Sequence, residues 1–150
     1  MDDIDRNIIE ALQEDGRLAQ ARLAERVGLS VSAVNERVRR LEAQGAIAGI
    51  EARIDPRAVG VGLLAFVYVL LERPEHDAGF VAGIRALAEV QECHHVTGAW
   101  SYLLKIRACD TADLERVLVG GVKALAGVVR SETVIALSTA KETARIKVPR

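Results

Sequence analysis

The chain has 150 residues, half of them hydrophobic, and a formal net charge of −1. That length carries one ordinary domain or two small ones with a real core, so the composition excludes a disordered chain. The near balance of charge excludes nucleic-acid recognition by bulk basicity, and leaves any such partner to a local patch.

In chain order, Ile4, Ile8, Ile9 and Leu12 recur at helical spacing up to Asp15-Gly16, which predicts a first helix. Leu18, Leu23, Ala24 and Val27 mark a shorter second helix that ends at Gly28, a residue free to take the left-handed backbone of a tight exit. Ser30 is a natural N-cap for a third helix, in which Val34, Val38 and Leu41 form the apolar stripe and Gly45 is the stop. The segment "AIAGIEARIDP" alternates imperfectly and predicts a short strand or ribbon, with the domain boundary at Asp55-Pro56.

Beyond Pro56 the texture changes. "LLAFVYVLLE" reads as a strand, Ala78 to Leu87 as a helix, and "VQECHHVTG" as a strand; "WSYLLKIRA", a helix capped by Asp110 or Thr111 and running to about Leu125, and "VVRSETVIAL" repeat that order. Two β-α-β halves joined at Gly98, each passing from helix to strand through "ALAEV" or "ALAGV", predict a ferredoxin-like βαββαβ plait. The expected class is therefore α+β, with residues 1–55 as a three-helix domain ending in a linker strand and residues 56–150 as a ferredoxin-like domain. "LLAFVYVLLE" is apolar at nearly every position, as in a strand covered on both faces, whereas one helix layer covers only one. The uncovered face predicts a second copy packed sheet to sheet about a two-fold axis.

A short helix, a glycine turn and a capped longer helix form the signature of a helix-turn-helix, whose second helix enters the major groove. Opposite the stripe of Val34, Val38 and Leu41 lie Ser32, Asn35, Glu36, Arg39 and Arg40. Residues 17–44 hold six arginines against three glutamates, whereas residues 1–15 hold six acids and one arginine, so the neutral total conceals a segregated basic surface. The expected DNA-binding set is Ser30, Ser32, Asn35, Glu36, Arg37, Arg39 and Arg40. Ser32 and Asn35 can reach base edges, Asn suiting a bidentate contact with adenine, and Arg39 can read guanine or hold a phosphate. Arg37 and Arg40 are expected to clamp phosphates, with Glu36 as an alternative partner for Arg40 along the helix.

The stretch "DRNIIEALQEDGRLAQARLAERVGLSVSAVNERVRRLEAQGAI" resembles the DNA-binding half of the Lrp/AsnC (feast/famine) transcriptional regulators. Ile4 to Arg17 approximates that family's "LDxxDxxILxxLQxDGR", Val27 to Ile47 matches "VGLSxSxVxxRVxRLExxGxI", and the likeness continues through "ECHHVTG" and "YLLK". The resemblance implies a winged helix-turn-helix, an effector domain that dimerises through its sheet, and assembly to tetramers or octamers. It also implies a small-molecule effector, an amino acid or a related metabolite, that alters assembly or DNA affinity. The effector turn of the family commonly reads Gly-Asp-x-Asp-Tyr; here it is Gly98-Ala99-Trp100-Ser101-Tyr102, with both acids absent. These five residues and Thr133 are the effector-binding residues expected from the resemblance.

Cys93 and Cys109 make no disulfide framework, and on a strand the adjacent His94 and His95 point to opposite faces, so no metal site is expected. No nucleophile motif, phosphate-cradling loop or spaced acid-base pair is present; neither an enzyme nor a cofactor is expected. "MDDIDRNII" is acidic where a signal peptide is basic, and the apolar run Val61 to Leu71 is too short to span a bilayer, so a cytoplasmic, nucleoid-associated protein bound to double-stranded DNA is expected. Two other readings stay open: an architectural DNA-binding protein without an effector, and a small sheet-dimer enzyme, which leaves the first 45 residues without a role.

Overall fold

The computed structural model describes residues 1–150 and divides them into two compact units, residues 1–53 with 141–150, and residues 54–140. In the first unit, α1 (Asp3–Glu14), α2 (Gln20–Val27) and α3 (Val31–Ala43) follow in close succession. Each boundary has a local cause. Asp2 caps α1 by accepting from the Asp5 N–H while the Asp5 carboxylate accepts from the Asp2 N–H, a reciprocal capping box. Gly28 ends α2 with φ of +69°, and Ser30 Oγ accepts from the Ala33 N–H at 3.2 Å to start α3. The apolar stripes of the three helices meet in a core of Ile8, Ala11, Leu23, Ala24, Val34, Val38 and Leu41.

The strand or ribbon expected over "AIAGIEARIDP" does not form: residues 44–62 contain no strand. A strand exists only by pairing, and this exposed segment has no partner strand in its own chain. Residues 141–150 group by contact with the first unit. The Gln13 amide donates to the Ile146 carbonyl at 3.0 Å and accepts from its N–H at 2.7 Å, Arg53 donates to the Glu142 carbonyl at 2.7 Å, and Arg145 lies 3.7 Å from Glu14.

The second unit is an α+β plait: β1 (Leu63–Leu71), α4 (Asp77–Arg85), β2 (Val90–His95), β3 (Tyr102–Ala108), α5 (Thr111–Arg116) and β4 (Val128–Ile135). The sheet is antiparallel in the order β2-β3-β1-β4, the ferredoxin-like arrangement. The helix expected to run to Leu125 leaves α geometry at Val117, passing through a π turn (Val117–Gly121) and a 3-10 turn (Val122–Ala124). Gly120-Gly121 weakens the helix there, and a Cβ on Gly121 would stand 3.0 Å from Leu87 Cδ1, so the close packing depends on its absence.

Although β1 is apolar throughout, the structure separates its two sides. Ala65, Val67, Val69 and Leu71 are buried with Phe80, Ile84, Leu104, Ile106 and Leu114 on the helix side. Phe66, Tyr68 and Leu70 on the other side are half-buried, because no element of the second unit covers that face.

Candidate nucleic-acid interface and effector turn

Along α3, the exposed residues Ser32, Glu36 and Arg39 and the half-buried Asn35 form one outward stripe at spacings of three and four. The Arg39 side chain is exposed and takes part in no ion pair or hydrogen bond within the chain. Ser30 does not share that freedom; its hydroxyl caps the helix and lies 3.1 Å from Ser32 Oγ.

Arg37 and Arg40, expected at phosphates, turn toward α1. Arg37 donates to Asp2 Oδ2 at 2.7 Å and Asp5 Oδ1 at 2.8 Å, and Arg40 contacts both Asp5 oxygens at 3.0 Å. Arg40 therefore pairs with Asp5 rather than with Glu36. Asp5 lies in the buried stripe of α1 with Ile8 and Ala11, and its side chain is only 4% exposed. A carboxylate in that position retains its charge only with cations around it. Burial pushes the Asp5 carboxyl up, but the Arg37 hydrogen bond, the Asp2 N–H and the Arg40 charge outweigh it, and the net shift is downward. Asp2, bonded by the Asp5 N–H and by Arg37, is held down to about 2.

These two acids were not singled out from sequence. The available signal was Asp5 at helical spacing from Ile8 and Leu12, a charge within an apolar stripe.

In the second unit, the turn from Val96 to Ser101 joins β2 to β3. Gly98 adopts φ of +104°, a left-handed backbone that glycine accepts without strain. Ala99 is exposed. Ser101 is engaged in structure: its N–H donates to the Val69 carbonyl at 2.9 Å and its hydroxyl accepts from the Leu71 N–H at 3.1 Å. Trp100 is half-buried, 5.8 Å from Tyr68 between ring centres, with the Arg130 guanidinium 4.9 Å from its ring centre.

Tyr102 faces the helix side. It packs 4.8 Å from Phe80 and 5.0 Å from His95 between ring centres, and its hydroxyl donates to Asp77 Oδ1 at 3.1 Å. Burial and that acid raise its pKa above the ordinary value. Thr133 pairs with Val67 and so shares the helix side, whereas Trp100 lies against residues of the opposite side. The structure thus brings Gly98, Ala99, Trp100 and Ser101 together in one turn, and puts Tyr102 and Thr133 on the other side of the sheet.

His94 and His95 separate as strand geometry requires. His95 stacks on Tyr102, while His94 Nε2 lies 3.1 Å from Glu92 Oε2, which also accepts from Lys105 through its other oxygen. No helix is long and apolar enough to cross a membrane.

Comparison with known proteins agrees with this architecture. Residues 1–48 match a family model described as winged helix-turn-helix DNA-binding, and residues 64–146 match the Lrp/AsnC ligand binding domain. The leucine-responsive regulatory proteins of Salmonella typhimurium and Escherichia coli are each 40% identical over 148 residues, covering 97% of this chain and 90% of theirs. Among solved structures, the leucine response regulatory protein of Mycobacterium tuberculosis superposes with a TM-score of 0.89 at 40% identity, over 99% of this chain and 100% of that one. A Neisseria meningitidis transcriptional regulator in complex with L-methionine superposes with a TM-score of 0.91 at 30% identity, over 98% and 96%. A feast or famine regulatory protein of M. tuberculosis, also complexed with L-methionine, has a TM-score of 0.91 at 40% identity over 99% of both chains. With the helix-turn-helix and the plait both matched in order, the chain belongs to the Lrp/AsnC family of DNA-binding transcriptional regulators.

Proposed function

We propose that the protein is a sequence-specific, non-catalytic regulator that reads the major groove with Ser32, Asn35, Glu36 and Arg39, while Arg37 and Arg40 set the pose of α3 by holding Asp2 and Asp5. The observation that carries this division is Arg39: among the three arginines of α3 it alone has no acid on it. An arginine already bonded to two carboxylates offers less charge to DNA than a free one. Residues 1–53 act as the DNA-binding part and residues 64–136 as the effector and assembly part. The half-buried face of Phe66, Tyr68 and Leu70 meets a second copy of the chain, and dimers associate further.

In the same reading, the Gly98–Ser101 turn responds to a small amino acid or a related metabolite, as the methionine complexes of the two similar regulators suggest. The test of the DNA part is a gel shift at fixed salt. Arg39→Ala is expected to weaken operator binding about tenfold or more, and Asn35→Ala to change base preference by about 1–3 kcal/mol of discrimination. Binding by the double variant equal to that of the unaltered protein refutes the assignment of α3.

A further inference from the structure

The acids and arginines between α1 and α3 form a chain with two unlike ends. Asp2 Oδ2 accepts from Arg37 Nη1 at 2.7 Å, the same nitrogen donates to Asp5 Oδ1 at 2.8 Å, and Arg40 Nη2 lies 3.0 Å from both Asp5 oxygens. The inner members are enclosed, Asp5 at 4% exposure and Arg37 at 24%. The outer members face water, Asp2 at 53% and Arg40 at 49%. The carboxylates of Asp2 and Asp5 thus balance the guanidiniums of Arg37 and Arg40, and the chain as a whole is neutral.

Arg40 is the end turned toward the reading face. It follows Glu36 by four residues, about 40° around the helix, and so borders the outward stripe, whereas Arg37 lies nearer the buried stripe of Val34, Val38 and Leu41. Only Nη2 of Arg40 is on Asp5, which leaves N–H donors of the guanidinium for a phosphate. The charge that it brings there depends on the rest of the chain. With Asp2 in place, Arg37 is shared between the Asp2 and Asp5 carboxylates. Without the Asp2 charge, Asp5 alone faces both guanidiniums, and the surplus positive charge belongs to the exposed end. Asp3 stands outside the chain: it is 86% exposed and pairs with Arg6 at 2.7 Å.

We propose that Asp2 restrains the sequence-independent part of DNA binding by balancing the ion-pair chain that ends at Arg40. It is a positioning residue, acting through Arg37 and Asp5 on the charge that Arg40 offers to the DNA backbone. This rests on the reading of α3 as the recognition helix and adds to it a residue of α1 that touches no base. Backbone affinity detains a regulator on competing sites, and the restraint shortens that detention.

The full-length protein is titrated onto a labelled random-sequence duplex at a series of salt concentrations, with binding followed by fluorescence anisotropy. Asp2→Asn and Asp2→Ser keep a side-chain cap on α1 without the charge. Both are expected to steepen the fall of log K with log salt by about 0.9 per chain, the worth of one further phosphate, and to tighten binding about tenfold at ~50 mM salt, the gain fading as salt rises. Asp3→Asn is expected to leave the slope unchanged, and in an Arg40→Gln background Asp2→Asn is expected to bring no gain. Thermal melting of each variant separates a change in binding from a change in fold.

An unchanged slope in a folded Asp2→Asn overturns the proposal. So does equal steepening by Asp3→Asn, which reduces the effect to net charge, and so does a gain that survives in Arg40→Gln, which removes Arg40 from it. Arg39→Ala on the same duplex tests the reading of α3 separately. Weakened binding there beside an unchanged Asp2→Asn overturns this inference alone, and unchanged binding by both overturns the recognition-helix assignment as well.

Discussion

Asp5→Ala probes the contact between α1 and α3 at its centre. The Asp5 carboxylate is 4% exposed and bonded to Arg37, Arg40 and the Asp2 N–H, whereas Arg37 and Arg40 are 24% and 49% exposed. Removing one partner of a fully buried ion pair costs about 3–5 kcal/mol, chiefly because the other charge is stranded. Here both arginines can regain water, so that part falls to about 1–2 kcal/mol. Loss of the reciprocal cap adds about 0.5–1 kcal/mol. The expected total of about 1.5–3 kcal/mol is a large fraction of the stability of a small domain.

With a urea m-value of about 1–3 kcal/mol/M, the helical transition followed by far-UV circular dichroism should move down by about 0.5 M or more. Trp100 lies in residues 54–140 and reports the other unit, so its emission serves as the internal control. A dichroism midpoint within about 0.3 M of the unaltered protein, below 1 kcal/mol at such an m-value, refutes the view that Asp5 pins α3 to α1.

The same cluster sets the response to acid. The Asp2 and Asp5 carboxyls are both lowered in the fold, Asp2 from 3.8 to about 2, so their stabilisation is complete above about pH 4 and lost as pH falls toward 2. In an acid titration the first unit should lose helix over that window, and Asp2→Asn should flatten the curve; an unaltered curve contradicts the pairing. Ser30→Ala should cost about 1 kcal/mol through loss of the α3 cap, while leaving base preference unchanged in site selection. Changed preference with unchanged stability would assign Ser30 to the DNA instead.

The helices and strands were legible because their causes are local. Gly28, Ser30 and the stripe of Val34, Val38 and Leu41 specify α2, the turn and α3 within some twenty residues. The alternation in β3, with Tyr102, Leu104, Ile106 and Ala108 buried, follows from strand period. Two local predictions failed where pairing or packing decides: the segment after Gly45 found no strand partner, and the helix toward Leu125 unwound at Gly120-Gly121.

The outward stripe of α3 and the acid-free turn could be named from residue order, since helical spacing and the family motif are both linear properties. What each side chain does there could not. Arg37 and Arg40 meet Asp5 across 32 and 35 residues, Arg130 reaches Trp100 only through the register of β4 on β1, and that register also puts Thr133 on the other side of the sheet. Sequence alone thus determined the elements whose causes are local and the family they compose. Tertiary structure decided which charges are already paired, because a buried or cross-strand partner is chosen by proximity in space, where the cost of an unpaired charge is settled.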